Sequence, residues 1–176
     1  LMLKNRSRHS STGLPKAVLL LLSLLVVLQG CTMDLDERLA KLDAEAAANA
    51  KAGQQFLGNN SQQAGVLSTS SGLQYKVLKA GQGKQPAADD RVRVHYRGTL
   101  IDGTQFDSSY DRGEAAVFPV NRLIPGWTEA LQLMKEGGHW QLYIPSQLAY
   151  GKKSPSSTIP PNATLIFELE LISIEN

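Results

Sequence analysis

The chain has 176 residues, of which 42% are apolar and 19% are charged. This composition is ordinary for a globular protein and suits one domain with a hydrophobic core and appended segments, with little room for a second folded domain. Four of the 18 basic residues and none of the 16 acidic residues precede residue 31, which leaves 14 basic side chains beyond it. Beyond residue 30 the 16 acidic side chains outnumber the 14 basic ones, and this slightly negative net charge removes the electrostatic basis for a nucleic-acid partner.

The first thirty residues are typical of a signal peptide. A basic stretch without acidic residues is followed by the apolar run Ala17–Leu28. A twelve-residue helix spans about 18 Å, which is short of the ~30 Å hydrocarbon core of a membrane. Residues 1–30 are therefore predicted to be a signal peptide rather than a transmembrane anchor.

The tetrapeptide at residues 28–31, Leu-Gln-Gly-Cys, resembles the bacterial lipobox, in which the chain is cut before a lipidated cysteine. Cys31 is the only cysteine, so no disulfide can form within the chain. The resemblance implies a lipoprotein that is held on a membrane through acylated Cys31, because several acyl chains anchor a protein stably. Thr32 stands where inner-membrane lipoproteins have aspartate, which favours the outer membrane. The alternative is a cysteine that is removed with the signal peptide.

The residues from Asp34 to Leu57 are rich in Ala, Glu, Lys and Leu, which favour helices. Apolar residues recur there at spacings of three and four, on one helical stripe: Leu35, Leu39, Leu42 and Ala46. Two heptads are fewer than the three or four that indicate a coiled coil. Residues 31–58 are therefore predicted to be either a dimerisation helix, which would give a homodimer, or an exposed stalk.

The folded domain is predicted over residues 72–176, after a small and polar linker at residues 59–71. Alternating apolar residues predict strands at Gly72–Ala80, Arg91–Leu100, Gln105–Ser109, Ala116–Val120, His139–Pro145 and Ala163–Ile174. An Asp-Gly turn at residues 102–103 connects the second strand to the third. Gly126–Met134 has the apolar spacing of a short helix. These elements predict an α+β fold in which an antiparallel, twisted sheet wraps around one short α-helix.

Five motifs in this part of the chain carry a resemblance to a known family: VHYRGTL, FDSSYDRG, LIPGW, AYG and IPPNATLIFELEL. Through them, residues 69–176 resemble an FKBP-type peptidyl-prolyl cis-trans isomerase. Residues 53–78 are similar to the start of the domain in the macrophage-infectivity-potentiator subgroup. The resemblance implies isomerisation of Xaa-Pro bonds in unfolded or folding proteins of the bacterial envelope, without a cofactor. It also implies macrolides as inhibitors.

The chemistry of this reaction explains why an aromatic pocket is sufficient. Rotation about the prolyl bond breaks amide resonance, and its barrier is ~18–20 kcal/mol. Water bound to the carbonyl stabilises the planar form, so a site that removes water and fits the twisted amide lowers the barrier. No nucleophile or metal is required. His95 and His139 lack metal-like spacing and have no evident carboxylate partner, so no metal site is predicted.

The resemblance assigns roles to individual residues. Trp127 would be the floor of the pocket, and the residues expected to act in catalysis with it are Tyr96, Phe106, Asp107, Tyr150 and Phe167. Tyr96, Asp107 and Arg112 would form a hydrogen-bonded polar corner. Three further residues would bind substrate together with Arg112: Leu123, Ile124 and Ile159. The backbone N–H of Ile124 and the hydroxyl of Tyr150 would donate hydrogen bonds to substrate.

The sequence departs from the family pattern at Ala116, where an aromatic wall is common. This departure puts substrate and macrolide preference in doubt more than activity. Two alternatives to an isomerase stay open. One is a chaperone that binds prolyl segments with incidental isomerase activity, and the other is an interaction module at the cell surface. An enzyme in the periplasm, anchored in the outer membrane, is the leading hypothesis.

Overall fold

The structure is a computed structural model that describes residues 16–175 and the side chains from residue 34 onward. The predicted signal peptide lies partly outside the described residues, as does the side chain of Cys31. The described chain divides after Lys41 into two units, and the second holds all of the sheet. The helices and strands of the described chain are α1 (Lys16–Asn60), β1 (Val66–Ser68), β2 (Gln74–Lys79), β3 (Arg91–Leu100), β4 (Gln105–Ser108), β5 (Ala116–Pro119), α2 (Pro125–Leu133), β6 (His139–Ile144) and β7 (Leu165–Glu175).

Helix α1 is longer than the predicted helical segment at both ends. Up to Lys41 it forms the first unit, where Leu35 and Leu39 are 57% and 50% exposed. Among the helices of the described residues, none is long and apolar enough to cross a membrane.

Within the second unit, α1 continues past Gly53 to Asn60 because its last turns pack against the sheet domain. A Cβ on Gly53 would overlap the side chain of Thr164, so only glycine permits this approach. Asn60 donates a buried hydrogen bond of 2.8 Å to the side chain of Gln74, which in turn donates one to the Leu57 carbonyl at 3.0 Å. Tertiary contacts therefore extend the helix where the apolar pattern of the sequence fades.

All strand pairs of the sheet are antiparallel. The order of strands is β1-β2-β6-β7-β3-β4, and β5 also pairs with β3. β5 pairs with the first half of β3, from Arg91 to Val94, and β4 pairs with residues 97–99 of β3. The longest pairing joins β3 to β7 over Arg91–Leu100 and Leu165–Glu175, with one register shift after Arg93. The predicted α+β fold is confirmed.

The core lies between one face of this sheet and helix α2. Alternate residues of β3, β6 and β7 point inward and are almost fully buried: Val92, Val94, Tyr96, Trp140, Leu142, Ile144, Leu165, Phe167, Leu169 and Leu171. Pro125 begins α2, where its missing N–H costs nothing. Gly126 then allows the helix to approach β6, because a Cβ there would lie 2.5 Å from Ile144 Cγ2. This close approach places Trp127 on the buried side of α2.

The segment predicted to be a linker, residues 59–71, contains regular structure. Strand β1 lies inside it, and Val66 to Ser68 pair with Lys76 to Gln74 of β2. Gly65 adopts a positive φ of 82°, which turns the chain from α1 into the strand. A strand of three residues at the edge of a sheet is too short for its alternation to be recognised, and its backbone hydrogen bonds decide its structure.

Candidate active site

A cavity of about 500 Å³ opens between helix α2, the inner face of the sheet, the turn that precedes α2 and the loop that follows β6. It falls within the range of ~300–1,000 Å³ that is usual for ligand pockets. The residues that line it are Tyr96, Phe106, Asp107, Phe118, Arg122, Leu123, Ile124, Trp127, Tyr150, Pro155, Ser156, Ile159 and Phe167. Among these, aromatic and aliphatic side chains predominate.

The base of the cavity is a cluster of aromatic rings centred on Trp127, which is only 4% exposed. The indole meets the rings of Tyr96 and Phe167 nearly at right angles, with centroids 5.2 and 5.1 Å apart. Phe106 packs edge-on against Phe167 at 5.4 Å. Such edge-to-face contacts hold each ring in one orientation. The base is therefore a rigid apolar surface, and the buried indole N–H has no hydrogen-bond partner among the described residues.

A polar corner, formed by Tyr96, Asp107 and Arg112, stands at one side of these rings. The Tyr96 hydroxyl donates a hydrogen bond of 2.6 Å to Asp107 Oδ2 and accepts one of 2.8 Å from Arg112 Nη2. Arg112 Nη1 donates to Asp107 Oδ1, which closes the triangle. The carboxylate of Asp107 is therefore paired with a cation, and the Tyr96 hydroxyl donates its proton to this carboxylate rather than to another acceptor.

The pKa shifts of the corner fix its charge state. Burial raises the pKa of Asp107, but the hydrogen bonds from Tyr96 and Arg112 outweigh burial and hold this pKa below its ordinary value. Burial and the hydrogen bond to Asp107 raise the pKa of the Tyr96 hydroxyl. At neutral pH the corner therefore contains a carboxylate, a neutral phenol and a guanidinium, and its net charge is zero.

Local pairing of β3 with β4 builds this arrangement. Asp107 lies opposite Gly98, and the lack of a side chain on Gly98 leaves room for the rings of Phe106 and Phe167. Ser109 fixes the backbone of Tyr96 from both sides, because its N–H donates to the Tyr96 carbonyl at 2.9 Å and its hydroxyl accepts from the Tyr96 N–H at 2.8 Å. The hairpin thus sets the positions of two rings and of the carboxylate.

Other lining residues carry groups that are free to bind a ligand. Leu123 and Ile124 follow a 3₁₀ turn at residues 120–122 and lead into α2. The Ile124 N–H makes no backbone hydrogen bond within the described residues. Tyr150 stands at the rim and is 37% exposed; burial and the negative charge of Asp107 raise the pKa of its hydroxyl. Ile159 is buried and closes the far wall.

Comparison with known proteins decides which family has this fold and pocket. Residues 82–172 match the family described as FKBP-type peptidyl-prolyl cis-trans isomerase. Residues 25–77 match the domain that is amino-terminal to such isomerases. The chain belongs to the FKBP-type peptidyl-prolyl cis-trans isomerase family.

Individual relatives agree with this family. The chain is 54% identical over 136 residues to the FKBP-type isomerase FkpA of Aeromonas hydrophila, covering 77% of this chain and 50% of the relative. It is 48% identical over 139 residues to the outer membrane protein MIP of Legionella longbeachae, covering 79% of this chain and 60% of the relative. The crystal structure of FkpA from Escherichia coli matches with a TM-score of 0.80 and 42% identity, covering 86% of this chain and 71% of that one. The chain thus spans about half to three fifths of the length of these curated relatives.

Nine of the residues predicted for the FKBP pocket line the cavity, and Arg112 does not. Arg112 instead donates hydrogen bonds to two of the lining residues, Asp107 and Tyr96. Four lining residues were not predicted from the sequence: Phe118, Arg122, Pro155 and Ser156. Phe118 had a usable signal, because alternation along β5 places it on the same face as Ala116. Its ring lies 6.2 Å from Trp127 and supplies an aromatic wall near the alanine.

The expectation for His139 is wrong, because it has a carboxylate partner. His139 Nε2 lies 3.0 Å from Glu168 Oε1 on the neighbouring strand. The two residues are far apart in sequence, and only the register of β6 against β7 brings them together. Among the described side chains, residues 34–175, no group of three or more His, Cys, Asp or Glu residues is placed to hold a metal ion.

Proposed function

We propose that the chain is a peptidyl-prolyl cis-trans isomerase that accelerates rotation of Xaa-Pro bonds in unfolded or folding proteins. The observation that carries the proposal is the rigid aromatic base around Trp127 beneath an open cavity of about 500 Å³. Membership of the FKBP-type family supports it. In this assignment the proline ring enters over Trp127, and the walls are Tyr96, Phe106 and Phe167.

The mechanism proposed here is desolvation together with binding of the twisted amide. Apolar walls exclude the water that stabilises the planar, charge-separated form of the amide. The free N–H of Ile124 and the hydroxyl of Tyr150 supply hydrogen bonds that orient the peptide backbone. Binding is stronger when the amide is twisted than when it is planar, so the interaction energy lowers the barrier. Neither a nucleophile nor a general base takes part.

Asp107 has an indirect role in this mechanism. Its carboxylate is paired with Arg112 and bonded to the Tyr96 hydroxyl, so it is not available as a base. Its function is to hold the Tyr96 ring in the wall and to keep the corner electrically neutral. A carboxylate left unpaired beside an apolar pocket would retain water.

We also propose that the chain is a lipoprotein of the bacterial envelope, with a signal peptide over residues 1–30 and acylation at Cys31. The similarity to a relative named outer membrane protein MIP supports an envelope location. In this proposal residues 31–58 separate the isomerase domain from the membrane. Three leucines on one stripe of α1, Leu35, Leu39 and Leu42, are about half exposed, as a dimerisation surface or a surface that binds unfolded clients would be.

The experiment that tests the proposed activity is protease-free isomerisation of a Leu-Pro peptide by the full chain, with and without rapamycin. Catalysis that rapamycin inhibits would support both the activity and the pocket. A folded protein that binds prolyl peptides without accelerating their isomerisation would instead support a chaperone or interaction module. Catalysis that Trp127→Ala leaves at full rate in a folded variant would contradict the site assignment.

A further inference from the structure

The pocket is lined by a basic side chain that forms no ion pair with a carboxylate of the described residues. Arg122 lines the cavity and is exposed. It ends the 3₁₀ turn that leads into Leu123 and Ile124. None of the ion pairs among the described side chains involves Arg122. Its guanidinium is therefore available to a ligand.

The carboxylate of the lining does not cancel this charge. Among the described residues, Asp107 is the only acidic one that lines the cavity, and it is paired with Arg112. The loop that follows Tyr150 adds two exposed lysines, Lys152 and Lys153, before it reaches the lining residue Pro155. The lining and this loop together therefore carry more basic than acidic groups, although residues 31–176 as a whole carry more acidic than basic groups.

We propose that Arg122 makes the pocket favour an acidic over a basic residue next to the proline. The proposal rests on the proposed isomerase function and names a substrate class for it. The aromatic base holds the proline ring and cannot distinguish the neighbouring residue by charge. A cation at the rim can distinguish it, because substrate side chains that flank the proline lie at the mouth of the pocket.

The expected effect is modest because Arg122 is exposed. Exposed ion pairs change equilibria by a factor of about 1.4 to 5, and a lysine at the same substrate position is disfavoured by a similar factor. The two factors multiply, so the ratio of kcat/KM for a Glu-containing peptide to that for the matching Lys-containing peptide should be about 2 to 25. Salt at about 1 M should reduce the ratio toward one, since it shortens the screening length to ~3 Å.

A structural role for Arg122 makes a different prediction. A cation at the end of a helix stabilises it by interaction with the last carbonyl groups. The turn here has only three residues, so its dipole is small. If stabilising this turn were its function, replacing Arg122 would lower the melting temperature and leave the ratio between charged substrates unchanged.

The test uses the full chain in the protease-free assay with two peptide series, in which Glu, Gln or Lys stands before or after the proline. The readout is the Glu-to-Lys ratio of kcat/KM within each variant, because a general loss of activity cancels from it. Arg122→Gln should abolish the preference, and Arg122→Glu should reverse it toward Lys. Lys79→Glu, which makes the same change in net charge on strand β2 away from the lining residues, should keep the wild-type ratio.

The outcomes separate the two proposals. A preference for Glu at either flanking position that Arg122→Glu reverses supports the assignment. Ratios near one in the wild type, or ratios that Arg122→Glu does not change while a Leu-Pro peptide is still isomerised, overturn it. If the wild type fails to isomerise the Leu-Pro peptide, the proposed isomerase function is wrong. Fluorescence titration with the same charged peptides then tests Arg122 by binding alone, and equal affinities for the Glu and Lys peptides overturn its role.

Discussion

Replacing Tyr96 by phenylalanine tests whether the polar corner only supports the pocket or takes part in the chemistry. The change removes one hydroxyl and keeps the ring that meets Trp127 at 5.2 Å. The lost hydroxyl donates 2.6 Å to Asp107 and accepts 2.8 Å from Arg112. Because its proton is committed to Asp107, it has none to give to a substrate.

The structure sets the magnitude of both expected effects. Hydrogen bonds to charged groups contribute about 1.5–3 kcal/mol when buried. The side chains of Asp107 and Arg112 are 42% and 44% exposed and stay paired with each other, so solvent replaces much of the loss. We expect Tyr96→Phe to lower the free energy of unfolding by about 1 kcal/mol. With the aromatic wall intact, kcat/KM should fall less than about tenfold, or about 1.4 kcal/mol in the barrier.

The assay is protease-free isomerisation of a Leu-Pro peptide, with thermal unfolding measured in parallel. Tyr143→Phe is the matched control, because its hydroxyl lies on β6 outside the cavity lining. The control should be as active as the wild type. A hundredfold loss of kcat/KM in a well-folded Tyr96→Phe protein would show that the hydroxyl acts on the substrate, and the supporting role proposed for the corner would be wrong.

Three further predictions follow from the site and the amino-terminal segment. In Gly98→Ala the new Cβ would lie 2.5 Å from the Phe106 ring. Because this overpacks the site, we expect kcat/KM to fall at least about tenfold, and full activity would contradict this expectation. The control is Gly58→Ala, where a Cβ meets open space. The pKa of Asp107 is lowered, so its contribution to stability is present above the ordinary value of 3.8 and is lost as the pH falls. The pKa of Tyr96 is raised, so its contribution is present below the ordinary value of 10.0 and is lost as the pH rises. Activity should therefore show no titration of the corner between about pH 5 and pH 9, and abolition by Tyr96→Phe of a titration near pH 7 would refute this. Cys31→Ala should abolish fatty-acid labelling and release the protein from membranes, and unchanged labelling and fractionation would exclude lipidation there.

The strands of the domain could be predicted because each carries its own alternation. β3 has buried Val92, Val94 and Tyr96 at every second position, and its observed bounds equal the predicted ones. β1 and the last turns of α1 could not be predicted, because their structure depends on partners elsewhere in the chain. Gly53 lowers helix propensity, yet its lack of a side chain permits the contact with Thr164. Tertiary packing overrides local propensity at such positions.

The pocket was predictable where resemblance supplied a motif, and less so elsewhere. Trp127 and Phe106 lie in motifs that could be compared directly, whereas Arg122 lies one residue before LIPGW and has no periodicity that marks it. Pro155 and Ser156 line the cavity from a loop whose path no local pattern specifies. Loop residues reach a site through the path of the backbone, which the register of the flanking strands determines.

The distribution of charge around the pocket suits a reaction that needs a neutral interior and selective entry. A cation free to approach the carbonyl of the substrate would stabilise the planar, charge-separated amide and slow its rotation. Inside, the guanidinium of Arg112 is held by Asp107 and the Tyr96 hydroxyl, so its charge is neutralised next to the proposed position of the amide. At the mouth, Arg122 has no such partner among the described side chains, and in our proposal its charge acts on the flanking side chains of a substrate. If both proposals hold, neutralisation of one arginine and exposure of the other assign catalysis and selection to different parts of the same cavity.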